Sequence, residues 1–156
     1  MAEAAFKAHL IKDDLIYIEF GAGKGILSYH IAEKVKSVFK QNSKNVLLER
    51  ESRRNKFDRF MKDNPYFQRY KSDVSDFDVK EMCTTMVDNA LLKKPNLQRE
   101  KEIAELNDMA IVGICKHMCG GALDISVRAL MKTKMSGCLL ASCCHHLCSY
   151  DTYLNR

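Results

Sequence analysis

The sequence predicts an α/β domain, a mostly parallel sheet of about five strands flanked by helices. Three observations carry that expectation. Short apolar runs alternate with segments of helical periodicity, the pattern of strand–helix–strand units. The first run, Leu15 to Phe20, ends in an acid and passes directly into glycines at alternate positions, Gly21, Gly23 and Gly25. Titratable groups then follow every apolar run, where a parallel sheet collects its ligands, outside the carboxyl ends of the strands.

The elements follow in order. Ala4 to Ile11 supplies a leading helix, and Leu15 to Phe20 the first strand. Ile26, Leu27, Ile31, Val35 and Val38 recur at helical spacing and predict a helix to about Lys40. Asn42 and Ser43 break it, and Asn45 to Glu49 reads as a second buried strand. Arg53 to Lys62 has helical composition, which Asn64-Pro65 ends. Tyr66 to Lys71 suits a third strand, closed by Asp73. Val79 to Lys94 is helical, Pro95 interrupts, and a polar helix follows to about Leu106. Met109 to Cys115 forms the fourth strand, Gly120-Gly121 opens a helix to about Lys132, and Cys138 to Cys143 forms the fifth.

A chain of 156 residues suffices for one domain with a genuine core. Hydrophobic residues at 46% and charged residues at 29% are ordinary for a soluble globular protein. No apolar run approaches the roughly 18 residues of a membrane span, and Met1 to Leu10 lacks the basic-then-apolar design of a secretory signal. Seven cysteines, including the adjacent Cys143 and Cys144, cannot all pair within one chain. They read as thiols in a reducing compartment, which places the protein in the cytoplasm or nucleus. The net charge of +5 permits an anionic partner without demanding one. The densest basic stretch, Arg50, Arg53, Arg54, Lys56 and Arg59, is interleaved with acids and suits a solvated helix face as readily as RNA.

The glycine turn narrows the ligand. Glycine adopts positive φ and lets a ligand approach bare main chain, and the helix that follows presents unpaired N–H groups. A dinucleotide fingerprint wants a third Gly or Ala where this chain has Ile26, which disfavours a nicotinamide oxidoreductase. A phosphate-binding P-loop wants Ser or Thr after Gly-Lys, but Lys24 is followed by Gly25. Glu19 ahead of an alternate-glycine turn resembles the S-adenosylmethionine loop of Rossmann-like methyltransferases. The competing reading is a glycine-rich turn in some other α/β protein. At the later strand ends, Glu49 is placed to accept from two ribose hydroxyls and Asp73 from an adenine amino group. Each acid also suits a helix N-cap or a solvated loop. Lys116-His117 and Cys144-His145-His146 complete the set.

Together the motifs resemble one family. Phe20-Gly-Ala-Gly-Lys-Gly25, Leu48-Glu-Arg50 with Arg54 and Lys56-Phe-Asp58, and Phe67-Gln-Arg-Tyr-Lys-Ser-Asp73 come first. Cys115-Lys-His-Met-Cys-Gly120 with Asp124 and Arg128, then Cys143-Cys-His-His-Leu-Cys148, follow in the same order. They are similar to the catalytic domain of the eukaryotic tRNA 2'-O-methyltransferases that modify the fourth nucleotide of the acceptor stem, the Trm-thirteen family, over roughly residues 15–153. The resemblance implies a Rossmann-like class I methyltransferase fold, S-adenosyl-L-methionine as cofactor and tRNA as partner; the apolar pattern suggests no membrane, and no obligate protein partner is inferred. It makes Glu19, Gly21, Gly23, Gly25, Glu49 and Asp73 the cofactor-binding set. Lys116 and His145 become proton-handling or orienting groups, with His117 and His146 packing or hydrogen-bonding behind them.

The chain also departs from the family. Members carry N-terminal zinc-finger modules, for which nothing before Leu15 is suited, and they continue well past the Cys-Cys-His-His-x-Cys block. Sheets of this type usually hold seven strands. Residues 1–156 are therefore expected to be a partial methyltransferase domain, incomplete at its C-terminal edge. Two other readings stand beside the enzyme. One is a truncated, non-catalytic cofactor- or RNA-binding module. The other is a zinc-binding domain drawing on Cys115, His117, Cys119, Cys143, Cys144, His145, His146 and Cys148. Against zinc, the chain has no Cys-x-x-Cys pair, and consecutive ligands on an extended segment point opposite ways.

Overall fold

Five parallel strands form one sheet in the computed structural model, which describes residues 1–52, 57–93 and 98–143. The chain runs α1 (Ala2–Lys7), β1 (Leu15–Phe20), α2 (Ile26–Phe39), β2 (Lys44–Leu48), a 3₁₀ turn (Phe57–Met61), β3 (Phe67–Tyr70) and a second 3₁₀ turn (Val74–Asp76). It continues through α3 (Val79–Lys93), α4 (Arg99–Asp108), β4 (Ala110–Lys116), α5 (Gly121–Met131) and β5 (Met135–Ala141). The strand order is β3-β2-β1-β4-β5, so the winding reverses between β1 and β4. This is the α/β, Rossmann-like architecture that the alternating pattern predicts.

Alternation along β1 divides the core. Ile16, Ile18 and Phe20 join Met82, Met86 and Val87 of α3, Leu106 of α4 and Leu130 of α5 on one face. Leu15 and Tyr17 join Ala5 of α1 and Leu27, Ile31 and Val35 of α2 on the other. A strand covered on both faces reads as a continuous apolar run, and β1 is buried at all six positions. No helix among the described residues is long and apolar enough to cross a membrane.

Register sets the height of the rim. Phe20 of β1 lies opposite Leu48 of β2 and Cys115 of β4, and Leu48 lies opposite Tyr70 of β3. The next residues, Gly21, Glu49, Lys71 and Lys116, therefore emerge together at the carboxyl edge.

Three elements differ from the sequence expectation. The leading helix covers Ala2–Lys7 rather than Ala4 to Ile11. The helix expected over Arg53 to Lys62 is a 3₁₀ turn over Phe57–Met61, with residues 53–56 outside the described set. The fifth strand begins at Met135 rather than Cys138. Gly137, a poor strand former, disguises that start. A Cβ there would lie 2.7 Å from Leu10 Cδ2, so the glycine makes room for the segment after α1.

Candidate functional site

The loop after β1 is built on three left-handed glycines, Gly21, Gly23 and Gly25, with φ of 62°, 52° and 76°. Two of them show why other residues fail. At Gly25 a Cβ would lie 2.6 Å from Leu47 Cδ2 and 2.8 Å from Arg69 Nη2, so the backbone is pressed onto the sheet. At Gly23 a Cβ would meet nothing within 4 Å, so that glycine faces open space.

The Gly23 residue is held at both ends. Its N–H donates to Glu49 Oε2 at 2.7 Å, and its carbonyl accepts from Arg69 Nη1 at 3.0 Å. The other Glu49 oxygen accepts the Glu51 N–H at 2.9 Å. Arg69, with only 12% of its side chain exposed, forks onto Asp58 through Nε (2.6 Å) and Nη2 (2.8 Å). β3 and the first 3₁₀ turn thus brace the loop from below, while the end of β2 fixes it from the side. Ala22 N–H to the Leu48 carbonyl (2.9 Å) and Phe57 N–H to the Lys24 carbonyl (2.9 Å) complete the brace.

Glu19 lies beneath the loop, 4% exposed. Its Oε2 accepts the Ser28 N–H at 2.9 Å and the Ser28 hydroxyl. Gly25, the N-cap of α2, offers no side chain, so the carboxylate from β1 serves the first turn of the helix instead. Burial pushes the Glu19 carboxyl above its ordinary range, opposed by the Ser28 hydrogen bonds and the Arg69 charge.

A cavity of about 1000 Å³ opens over this loop. Glu19, Gly21, Gly23, Lys24, Glu49, Lys116 and His117 line one part of it, and Ile26, His30 and Lys34 extend it along α2. It sits where strand order reverses, the expected position for a ligand in such a sheet. Lys116 and His117 are both exposed. His117 takes φ of 63°, and its N–H donates to the Ala141 carbonyl at 3.0 Å, which ties the end of β4 to β5.

Of the residues singled out in the sequence, Glu19, Gly21, Gly23, Glu49, Lys116 and His117 line this cavity, and Gly25 supports its floor. Asp73 does not line it. Its Oδ1 accepts the Ser75 N–H and hydroxyl, each at 3.0 Å, and N-caps the second 3₁₀ turn. Those bonds hold its carboxyl below the usual range. His145 and His146, with Cys144 and Cys148, lie outside the described residues. Among the described residues no three His, Cys, Asp or Glu side chains gather to hold a metal ion.

Arg69 and Asp58 are the site residues that sequence reasoning did not assign. Both stand inside the quoted motifs. The available signal was an arginine inside an expected strand, between Phe67 and Tyr70, where a guanidinium drawn in from solvent calls for a carboxylate partner.

The protein family described as "Methyltransferase TRM13" matches this chain over residues 1–156. Among curated proteins, the "tRNA:m(4)X modification enzyme TRM13" of Scheffersomyces stipitis is 28% identical, covering 96% of this chain and 37% of that protein. The Saccharomyces cerevisiae protein of the same name is 26% identical over 92% of this chain and 34% of its own length. The "tRNA:m(4)X modification enzyme TRM13 homolog" of Homo sapiens is 26% identical, with 90% and 34% covered. The chain thus spans about a third of the length of these relatives. No solved structure matches it.

Proposed function

The chain belongs to the Methyltransferase TRM13 family, and from that premise we propose that it is the S-adenosylmethionine-binding part of a tRNA methyltransferase acting on a ribose 2'-hydroxyl in the acceptor stem. The relatives' names supply the tRNA. The observation that carries the cofactor is the Gly23–Glu49 pair: a peptide with open space above it, bonded to a carboxylate on the rim.

The residues present suit that cofactor. Gly23 leaves room that any side chain would fill, and Glu49 is an acceptor for paired hydroxyls whose orientation is already fixed by two backbone donors. Gly21 and Gly25 shape the floor, and Glu19 keeps α2 in place beneath it. Asp73 stands outside this cavity and caps the second 3₁₀ turn, so it is not part of the proposed donor site. S-adenosylmethionine, when bound, supplies an activated methyl group. The protein's work is then to align a ribose hydroxyl with that group and accept its proton.

Lys116 and His117 stand on the β4 side of the same cavity and are the described groups suited to hold or move that proton. His145 and His146 take their proposed roles from the family motif alone, with Lys116 and His145 as the proton-handling or orienting groups. Methyl transfer to tRNA with isotope-labelled donor tests the reading, followed by mapping of the modified nucleotide. A 2'-O-methyl group in the acceptor stem supports it. Donor binding without transfer to any tRNA would leave a binding module, and methylation of a base would refute the ribose assignment.

A further inference from the structure

Where the loop leaving β4 meets the end of β5, two thiols touch. Cys119 Sγ and Cys143 Sγ are 3.3 Å apart, and the Cys143 backbone N–H points at Cys119 Sγ at 3.2 Å. We propose that Cys119 and Cys143 form a thiol–disulfide exchange site, which a low-molecular-weight disulfide of the glutathione type closes into an intramolecular bond. This site goes beyond methyl transfer and does not rest on it.

The geometry needs little change. A disulfide brings sulfurs to about 2.05 Å, so the two atoms must approach by roughly 1.3 Å. Both residues lie outside regular elements: Cys119 falls between β4 and α5, and Cys143 lies two residues past the end of β5. A small loop adjustment suffices, and no strand or helix has to shift. Access is also in place, since Cys143 is exposed and Cys119 is half-buried at the rim.

The other described cysteines mark the contrast. Cys83 and Cys115 are buried, and burial pushes both thiols up to about 11, which suppresses the thiolate that exchange requires. Cys138 is exposed but stands within β5. Only the 119–143 pair, among the described residues, combines access with a neighbouring sulfur at contact distance.

The chemistry balances in two steps. The Cys143 thiolate attacks one sulfur of the glutathione disulfide, forming a mixed disulfide and expelling one glutathione thiolate. The Cys119 thiolate then attacks the Cys143 sulfur, forms the 119–143 bond and expels the second. The protein loses two electrons and two thiol protons, and the small disulfide is reduced to two thiols.

The bond would fasten the 117–120 loop to β5. That loop carries His117 on the cavity wall, and Met118, whose Sδ would lie 3.3 Å from a Cβ on Gly21. Closing the disulfide therefore stiffens the β4 side of the cavity.

The test is exchange of the reduced 156-residue chain, purified without added metal, with glutathione disulfide, followed by alkylation, proteolysis and fragmentation mapping. The expected product is one cross-linked peptide pair joining 119 to 143, with a raised Tm that a dithiol reductant reverses. C138S should form the same link. C119S should stop at a glutathione adduct on Cys143. The wild-type map needs no variant to fold, and circular dichroism checks that C119S has folded. A stable adduct on wild-type Cys143, a link from either cysteine to another partner, or stoichiometric zinc that survives preparation and blocks exchange would overturn the proposal.

Discussion

The two sides of the carboxyl rim are held in different ways. On the β1–β2–β3 side, the glycine loop is locked by Glu49, Arg69 and Asp58, and each functional group has its hydrogen bonds satisfied by neighbouring elements. On the β4–β5 side, Lys116 at the end of β4 and His117 just after it present exposed side chains, and among the described residues the loop is tied to β5 and its exit by the His117 N–H to the Ala141 carbonyl and the Cys143 N–H to Cys119 Sγ. One side has its functional groups bonded in place before any ligand arrives, and the other presents Lys116 and His117 as exposed side chains. A donor-binding half gains from preorganisation, because geometry set in advance costs less on binding. Groups that meet a large RNA substrate gain from exposure.

Substitutions should break this contrast unequally. The largest stability loss is expected from R69M, which strands the Asp58 carboxylate and releases the Gly23 carbonyl. Removing one partner of a half-buried ion pair costs about 3 kcal/mol, which urea unfolding would register. R69K, a point charge without the fork, should recover only part of it. A loss below about 1 kcal/mol would mean that the brace is ornamental.

The next effect separates two glycines. G25A adds left-handed strain to a clash with Leu47 and should cost about 2–3 kcal/mol. G23A carries strain alone, about 1 kcal/mol, yet should weaken donor binding more, because only its Cβ enters the open cavity. Equal effects on both readouts would erase the distinction between floor and mouth.

Glu19 gives a smaller, pH-dependent effect. Its folded carboxyl titrates above the ordinary value of 4.5, so the folded state binds the extra proton in that window. By linkage, stability falls as pH rises from about 4.5 through the raised value. E19Q removes the titration, so the stability advantage of wild type over E19Q should shrink as pH climbs through that range. A difference that grows with pH would contradict the assignment.

On the exposed side, K116A and H117G should change stability by no more than about 0.5 kcal/mol. H117G also relieves a left-handed backbone, so any shift should be toward greater stability. K116A should nonetheless slow methyl transfer about 100-fold. Thermal melts and single-turnover rates on the same preparations would separate the two outcomes.

The legible and illegible parts of the sequence divide along the same line. β1 was readable to the residue because it is buried on both faces and ends at glycines that have no substitute. The start of β5 was hidden by Gly137, whose reason for being there is Leu10, far away in sequence. Glu49 announced itself as an acid closing an apolar run. Arg69 did not, because its role depends on Asp58 and Gly23, which only the folded sheet brings to it. Asp73 looked the same as Glu49 in the sequence, yet it caps a turn while Glu49 bonds the glycine loop. Both acids follow an expected strand, but Glu49 directly succeeds β2 while Asp73 lies three residues past β3, and the folded backbone sets their different roles.

The most direct measurement is titration calorimetry of S-adenosylmethionine into the 156-residue chain and its E49A variant. Saturable binding to wild type, weakened at least about tenfold in E49A by loss of a charge-assisted acceptor, is the expected result. Absence of binding to a folded wild-type chain, or equal affinity in the two proteins, would contradict a donor pocket centred on Gly23 and Glu49.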